Sequence, residues 1–500
     1  MRRISRLTGE ELTLDSLHRT YSGRGTRPHR PDLLLKLLLY EHSQGRPQPV
    51  QWLKDLKENI AVQWLVYGLQ PSQTTLYEFR DRVQPLLGDL NQQVIRTAIT
   101  EGHTDGSYGA WDGTTVAANA TRPRMVNLAT VEKRLEILDQ EIGQEERGEE
   151  VIRAIEVPEP EGSAPPTTTS PGPTEASCAQ RQSWKAKTLR GKKRQRDQYH
   201  RARAVLQAKH VVNRQRRKDK RKKEASIRVA PGDPMAPFGL DKMNTYRPLY
   251  NVQTMSDVDT DLVLAYATTR TTADNGQLLP MIERTMEVTT QPLKDVLVDS
   301  GYPSGEDLAE CQKKGVTVYA PWNENSFTEA KRAKGGDQNQ ISKDRFVFDP
   351  SVASYRCPEG KQLTYRERTT KQKANGDYFT IEIYQADPSD CAGCPLKARC
   401  VRGRSGARTV RRQKHEKLVE ELRERMKQAD AKEKYGKRGC TIERRFADLK
   451  THRGLQRFSG QTPERADAQV GLTVLAHNLQ TLEKLRIKQE RQPDTGKKAT

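Results

Sequence analysis

Long hydrophobic runs are missing from this 500-residue chain. No apolar stretch approaches the roughly 18 residues that a membrane-spanning helix needs, so no such helix is expected. The N-terminus, Met1-Arg2-Arg3-Ile4-Ser5-Arg6, is basic but lacks the apolar segment of a secretory signal, and none is expected. Cysteine is sparse. The seven present, four of them bunched late, do not resemble an extracellular disulfide framework. Acidic residues are outnumbered by basic ones, 65 to 86, giving a formal charge of +21. A clustered excess of that size suits a polyanionic partner, with an anionic membrane surface as the rival. The length allows two or three domains. The expectation is a soluble intracellular protein that handles nucleic acid.

From Pro31 to about Thr100 the pattern is helical. Leu33, Leu34, Leu37 and Leu38 make an amphipathic face after Pro31, a residue favoured in a first turn. Gly45, Pro47 and Pro49 break it. A second helix carries Val50, Trp52, Leu53 and Leu56, followed by Ile60, Val62, Trp64 and Leu65. Ser72 is a candidate N-cap for the helix that includes Thr74, Thr75 and Arg80. Short helices, a tight turn and a polar first turn fit either a helix-turn-helix or an ordinary helical bundle. Thr74, Thr75 and Arg80 are its candidate DNA contacts.

Two charge blocks follow. Residues 131–161 hold eleven acids and four bases, with Val131, Leu135, Leu138 and Ile142 at heptad-like spacing. Residues 181–223 hold nineteen Lys or Arg and two Asp. A Pro/Thr/Ser linker separates them. Acidic helix, linker and basic helix predict an antiparallel helical arm. Its basic side, with Arg194, Arg216 and Arg217, either grips DNA phosphates or is a solvated charge run.

Beta signal brackets this arm. Ser107–Val116 reads as a strand carrying Asp112; Leu249–Met255 and Leu262–Ala267 read as a hairpin; Val296–Asp299 reads as a buried strand ending in a carboxylate. Ser304-Gly305-Glu306-Asp307 fits a capping box, and Val316–Ala320 another strand. Three strands, helix, strand, helix, strand predict a mixed α/β sheet. Helix returns at His415–Gln428 and again around Glu443. The final helix opens after Thr462-Pro463, with Ala468, Leu472, Leu475, Leu479 and Leu482 as its stripe.

The carboxylates carry the chemistry. In-line phosphodiester cleavage needs both attacking and leaving oxygens stabilised, and two divalent metals about 4 Å apart can do so. Magnesium prefers carboxylate oxygens. Asp112, Asp299 and helical Glu443 form a minimal cage: Asp112 bridging both ions, Asp299 on one, Glu443 on the other and orienting water. Lys450, two turns beyond Glu443 on nearly the same face, would contact a phosphate. Asp448 is a weaker competitor for the helical acid because it points away from that face.

These stretches resemble bacterial insertion-sequence transposases with an RNase H-like DDE domain and a helical N-terminal domain. The matching segments are Leu33 to Arg80, WDGTTVAANA around Asp112, YNVQT at 250–254, VLVDSGYPS around Asp299, GCTIERRFADLKTHRGLQRF around Glu443 and the terminal VLAHNLQTL. The resemblance implies that Asp112, Asp299 and Glu443 are the DDE triad, and that magnesium, replaceable by manganese, is the cofactor. It further implies double-stranded DNA, at element ends and target, as partner; a homodimer on DNA; and a cytoplasmic, nucleoid-associated location in a bacterium. Related families place Arg four and Tyr seven residues before the Glu. Here those positions are Gly439 and Gly436, with Arg438 and Tyr435 one residue further upstream.

The expected organisation is a helical DNA-binding domain at 1–102 and an RNase H-like catalytic domain at 103–485. Inserted in the latter are the helical arm at 125–228, with its linker at 157–180, and a Cys-containing segment at 322–412; 486–500 is a disordered tail. Cys357, Cys391, Cys394 and Cys400, separated by 33, 2 and 5 residues, can supply four tetrahedral zinc ligands, or stay reduced and unligated. Trp322 either stacks on a flipped base or covers a sheet edge. The alternatives to a transposase are a catalytically inactive, transposase-derived DNA-binding protein and a basic protein of structural RNA.

Overall fold

The computed structural model describes residues 2–21, 23, 28–120, 124–147, 184–241, 244–272, 274–299, 303–321, 341, 343–372, 378–401 and 406–491. Three expectations fall outside them: the linker at 157–180, Trp322 and most of the C-terminal tail. The chain forms two compact units, one from 1–116, 250–460 and 464–500, the other from 117–249 and 461–463.

The first unit begins with helices α1 (Arg2–Glu10), α2 (Asp15–Arg19), α3 (Pro31–Ser43), α4 (Pro49–Glu58), α5 (Ile60–Leu65), α6 (Gln73–Val83) and α7 (Leu87–Thr100). Proline opens α3 and α4, where its missing N–H costs nothing. Asn59 and Ser72 cap α5 and α6 by accepting from backbone amides. Leucine recurs around α3 almost without a polar face, so Leu33, Leu34, Leu35, Leu37, Leu38 and Leu39 are all buried. Trp52, Leu76, Phe79 and Val94 belong to the same core as Leu264, Val296, Leu475 and Leu479. The helices up to Thr100 therefore have no hydrophobic core separate from the sheet that follows.

That sheet contains β1 (Tyr108–Ala117), β3 (Tyr246–Asp257), β4 (Val263–Thr269), β5 (Asp295–Leu297) and β6 (Thr317–Tyr319). Its order is β3-β1-β5-β6, with β4 also paired to β3. β1, β5 and β6 run parallel; β3 and β4 are antiparallel. Parallel neighbours need crossovers, which α10 (Leu278–Thr289) and α11 (Gly305–Lys313) help to supply. Ser304 and Asp307 close the expected capping box on α11. Helices α12 (Glu416–Lys427), α13 (Ala429–Ala447) and α14 (Pro463–Arg491) complete the layers. The stripe from Ala468 to Leu482 on α14 is buried throughout. This is the expected mixed α/β fold, RNase H-like, behind a helical N-terminus.

Two glycines lock α3 to the far end of this unit. Gly45 and Gly454 both have φ near +70°, a region open to glycine. A Cβ on Gly45 would lie 2.6 Å from the His452 carbonyl oxygen, and one on Gly454 would lie 2.5 Å from that of Gly45.

The segment at 322–412 contributes a separate antiparallel sheet. Its strands are β7 (Val347–Asp349), β8 (Ser354–Arg356), β9 (Gln362–Gln372), β10 (Tyr378–Ala386) and β11 (Thr409–Gln413), in the order β11-β10-β9-β8-β7. Tyr355, Leu363, Tyr384 and Val410 make its core, together with Cys391 and Cys400.

The second unit is the arm. Helices α8 (Leu128–Glu146) and α9 (Leu189–Gln215) pair through Val131, Leu135, Leu138 and Ile142 against Tyr199, Ala202 and Leu206. Their direction follows from the cross-links: Lys192 meets Glu141 and Glu145 at 2.6 Å, Arg196 meets Asp139 at 3.6 Å, and Arg134 donates to the Tyr199 hydroxyl at 2.7 Å. Rising numbers on one helix meet falling numbers on the other. The pair is an antiparallel hairpin. The short strand β2 (Phe238–Leu240) pairs with the start of β3.

Candidate active site

Asp112 and Asp299 are set by strand register. The parallel pairing of β1 and β5 runs Tyr108 with Asp295, Gly109 with Val296 and Ala110 with Leu297. Two positions further along each chain are Asp112 and Asp299. Asp112 lies within β1, and Asp299 follows two residues past the end of β5, on the chain leaving the neighbouring strand. Asp112 is half-buried and Asp299 exposed.

Helix α13 lies against them. Its Arg438 guanidinium is 3.0 Å from the Asp112 carboxylate, with both side chains largely shielded. Tyr435, one turn earlier, feels both Asp299 and Asp112; burial pushes its phenol above its ordinary value, Arg438 opposes this, and the two carboxylates add to it. Lys434 anchors the helix to β5 by donating to Asp295 at 2.8 Å. Arg444 pairs with Asp261 on the loop before β4. Glu443 is exposed, on the stretch between Arg438 and Lys450. Lys450 sits in a π-helical turn, Asp448–His452, and donates 3.1 Å to the carbonyl of Thr115 on β1.

Asp112, Asp299 and Glu443 thus arise from touching elements, yet they do not close around an ion. Among the described residues no three His, Cys, Asp or Glu are grouped to hold a metal. The donor chemistry still fits a hard cation, since Asp112 and Asp299 are both carboxylates near Tyr435, and the Arg438 guanidinium supplies positive charge to Asp112 in this conformation.

Asp448 has a different task. It accepts from Arg453 at 2.7 Å and faces His477 Nδ1 at 3.0 Å. Burial pushes its carboxyl up, but His477 and Arg453 together hold it well below the usual range. It joins the helix end to α14.

The opposite side of β1 shows what the YNVQT segment does. Asn251 and Gln253 each donate a side-chain amide to Asp274, at 2.6 and 2.7 Å. A Cβ on Gly113 would come within 2.6 Å of that Asp274 oxygen, so the residue after Asp112 has no room for a side chain. Asp274 was not legible in the sequence; its only signal was two amides alternating on one strand.

The remaining candidates are scattered. Arg80 is buried, bonded to Asp81 at 2.8 and 3.0 Å, and stacked beside Tyr77; it does not face solvent. Thr75 is engaged in the Ser72 cap, whereas Thr74 is exposed. Arg194, Arg216 and Arg217 are exposed on the arm, Arg217 beside Asp219. The four thiols of Cys357, Cys391, Cys394 and Cys400 neighbour one another, and burial pushes that of Cys400 up. Among the described residues no three of them are grouped as metal ligands. Cys391 and Cys400 are buried in the core of the small sheet, and Cys357 packs against it.

Comparison with known families places two regions. Residues 356–483 match a family model described as Transposase DDE domain, and residues 1–82 match one described as Transposase domain (DUF772). No curated protein and no solved structure matches the chain. No helix among the described residues is long and apolar enough to cross a membrane.

Proposed function

We propose that this chain, an insertion-sequence DDE transposase, binds the terminal inverted repeats of its element and catalyses DNA cleavage followed by strand transfer. The observation that supports the reading is that Tyr435 and Arg438, on the helix that bears Glu443, reach the aspartates of two neighbouring strand ends, Asp299 and Asp112. When bound, two divalent ions, magnesium or manganese, stabilise the attacking and leaving oxygens of an in-line displacement. Asp112 and Asp299 would hold them, with Glu443 as the third ligand and the group that orients water. Water adds to phosphorus as the bond to the 3′ oxygen breaks, leaving a 3′-hydroxyl. That hydroxyl then attacks a phosphodiester of target DNA, forming a new bond to phosphorus as the bond to the target strand's 3′ oxygen breaks and that oxygen leaves as a 3′-hydroxyl. Lys450 keeps its segment against β1 and offers its charge to a nearby phosphate. Joining two ends calls for two catalytic subunits, so a homodimer on DNA is part of the proposal.

A second reading, a transposase-derived binding protein without catalysis, draws on the pairing of Asp112 with Arg438. Labelled element-end DNA with magnesium or manganese separates the two. Asp112→Ala, Asp299→Ala and Glu443→Ala should each lower nicking by roughly 10³-fold while binding is retained. Undiminished nicking in any variant removes that residue from the triad. Absence of nicking by the unaltered protein, with binding intact, favours the binding protein.

A further inference from the structure

Within the arm unit, α9, the segment that follows it and strand β2 enclose a cavity of about 720 Å³. Its apolar lining is Val205, Val212, Ile227, Met235 and Phe238. Its other lining is cationic, with Lys209, Arg216, Lys222 and Arg228, and no lining residue is an acid. Asn213 fixes the rim, since its side chain donates to the Lys222 carbonyl and accepts from the Lys222 amide, both at 2.9 Å. Beside the mouth, Phe238 stacks on Tyr246 with ring centroids 5.8 Å apart and an interplanar angle of 28°. Both rings are exposed, 41% and 53%.

This combination is costly for an arm that serves only as a spacer. The paired surface of α8 and α9 answers Lys with Glu, whereas here four cations line one cavity with no acid in its lining. Burial, with Lys222 nearby, already pushes the Lys209 ammonium below its ordinary value. An anion would relieve that crowding, and a flat aromatic body would cover the exposed rings and the apolar lining. The volume lies within the 300–1,000 Å³ range of small-ligand pockets. The geometry points to a binding site for one unpaired nucleotide of DNA, with its base in the cavity beside Phe238 and its flanking phosphates on Lys209, Arg216, Lys222 and Arg228. Paired bases in a duplex keep their faces stacked on one another, so only an extruded or single-stranded nucleotide can offer both the face and the charge. The inference rests on DNA being the substrate, but not on the carboxylate assignment.

The test uses the full chain in chelator, where no cleavage occurs. Anisotropy compares a labelled blunt duplex with the same duplex carrying a four-nucleotide single-stranded extension. The protein should prefer the extended probe, and Phe238→Ala should reduce that preference by about 5- to 100-fold, the range of one base stack, while leaving blunt-duplex binding unchanged. Val212→Asp, at an exposed position on the cavity wall, should do the same, and checks the result should Phe238→Ala unfold β2. Free deoxynucleotide competing as well as the extended probe identifies a mononucleotide site instead and overturns the DNA assignment. Equal binding of both probes by the unaltered protein, or stronger displacement by an acidic amphipathic peptide, also overturns it. Because these readings need no nicking, their failure is distinguishable from failure of the triad.

Discussion

Glu41 shows how a single side chain sets a pH limit here. It is fully buried on α3, beside the Asp55 carboxyl. Burial, reinforced by Asp55, pushes its carboxyl up to about 8. A carboxyl whose folded value exceeds its unfolded one supports folding most fully at acid pH. That contribution declines as pH rises from about 4.5 and is gone above about 8. Melting temperature should therefore fall across this window, and Glu41→Gln should flatten the fall and raise the melting temperature at pH 8. A variant with the same slope as the parent would assign the pH dependence elsewhere. The residue scale is also where sequence reading fell shortest. Arg80 looks like a solvated base on a DNA-facing helix, but long-range packing buries it. Arg438 stands one position off the related pattern, and only the fold reveals that it reaches Asp112, 326 residues earlier in the chain.

Elements were more legible because their signals are local. The α14 stripe, the Ser72 cap, the Ser304 capping box, the strand bearing Asp112 and the strand that ends just before Asp299 all follow from periodicity or turn chemistry. Helix α1 did not, since nine residues are marginal alone. It is held by Ile4 and Leu7 in the core and by ion pairs from Arg3 and Arg6 to Glu483. The arm behaves as a self-contained element whose heptad-like positions supply its packing. Leu138→Ala should cost about 2–5 kcal/mol of local stability. Hydrogen exchange should rise in α8 and α9 while α14 stays protected; uniform acceleration across the chain would show that the hairpin does not open by itself.

Across the whole molecule, the excess of +21 is unevenly used. Lys185, Lys192, Lys193 and Arg196 are paired with acids of α8, so part of the arm's charge is spent inside the hairpin. The exposed remainder, including Arg194 and Arg216, faces solvent. Replacing 128–215 by a short linker should make DNA affinity less steeply salt-dependent, by about 0.9 in logarithmic slope for each phosphate that the hairpin would otherwise neutralise. An unchanged slope would make the hairpin a bystander. Charge composition thus announced a polyanion. It could not say which cations are available, because that depends on partners brought together by folding.

The contact between Gly45 and Gly454 joins the ends of the first unit by main chain rather than by side chain. Main-chain atoms have no rotamers with which to yield. A tilt of α3, such as docking on a helical repeat-reading surface would exert, is passed without slack to the turn after Lys450. In the proposed function, the peptide assigned to an element's end and the peptide assigned to its chemistry would then move as one lever.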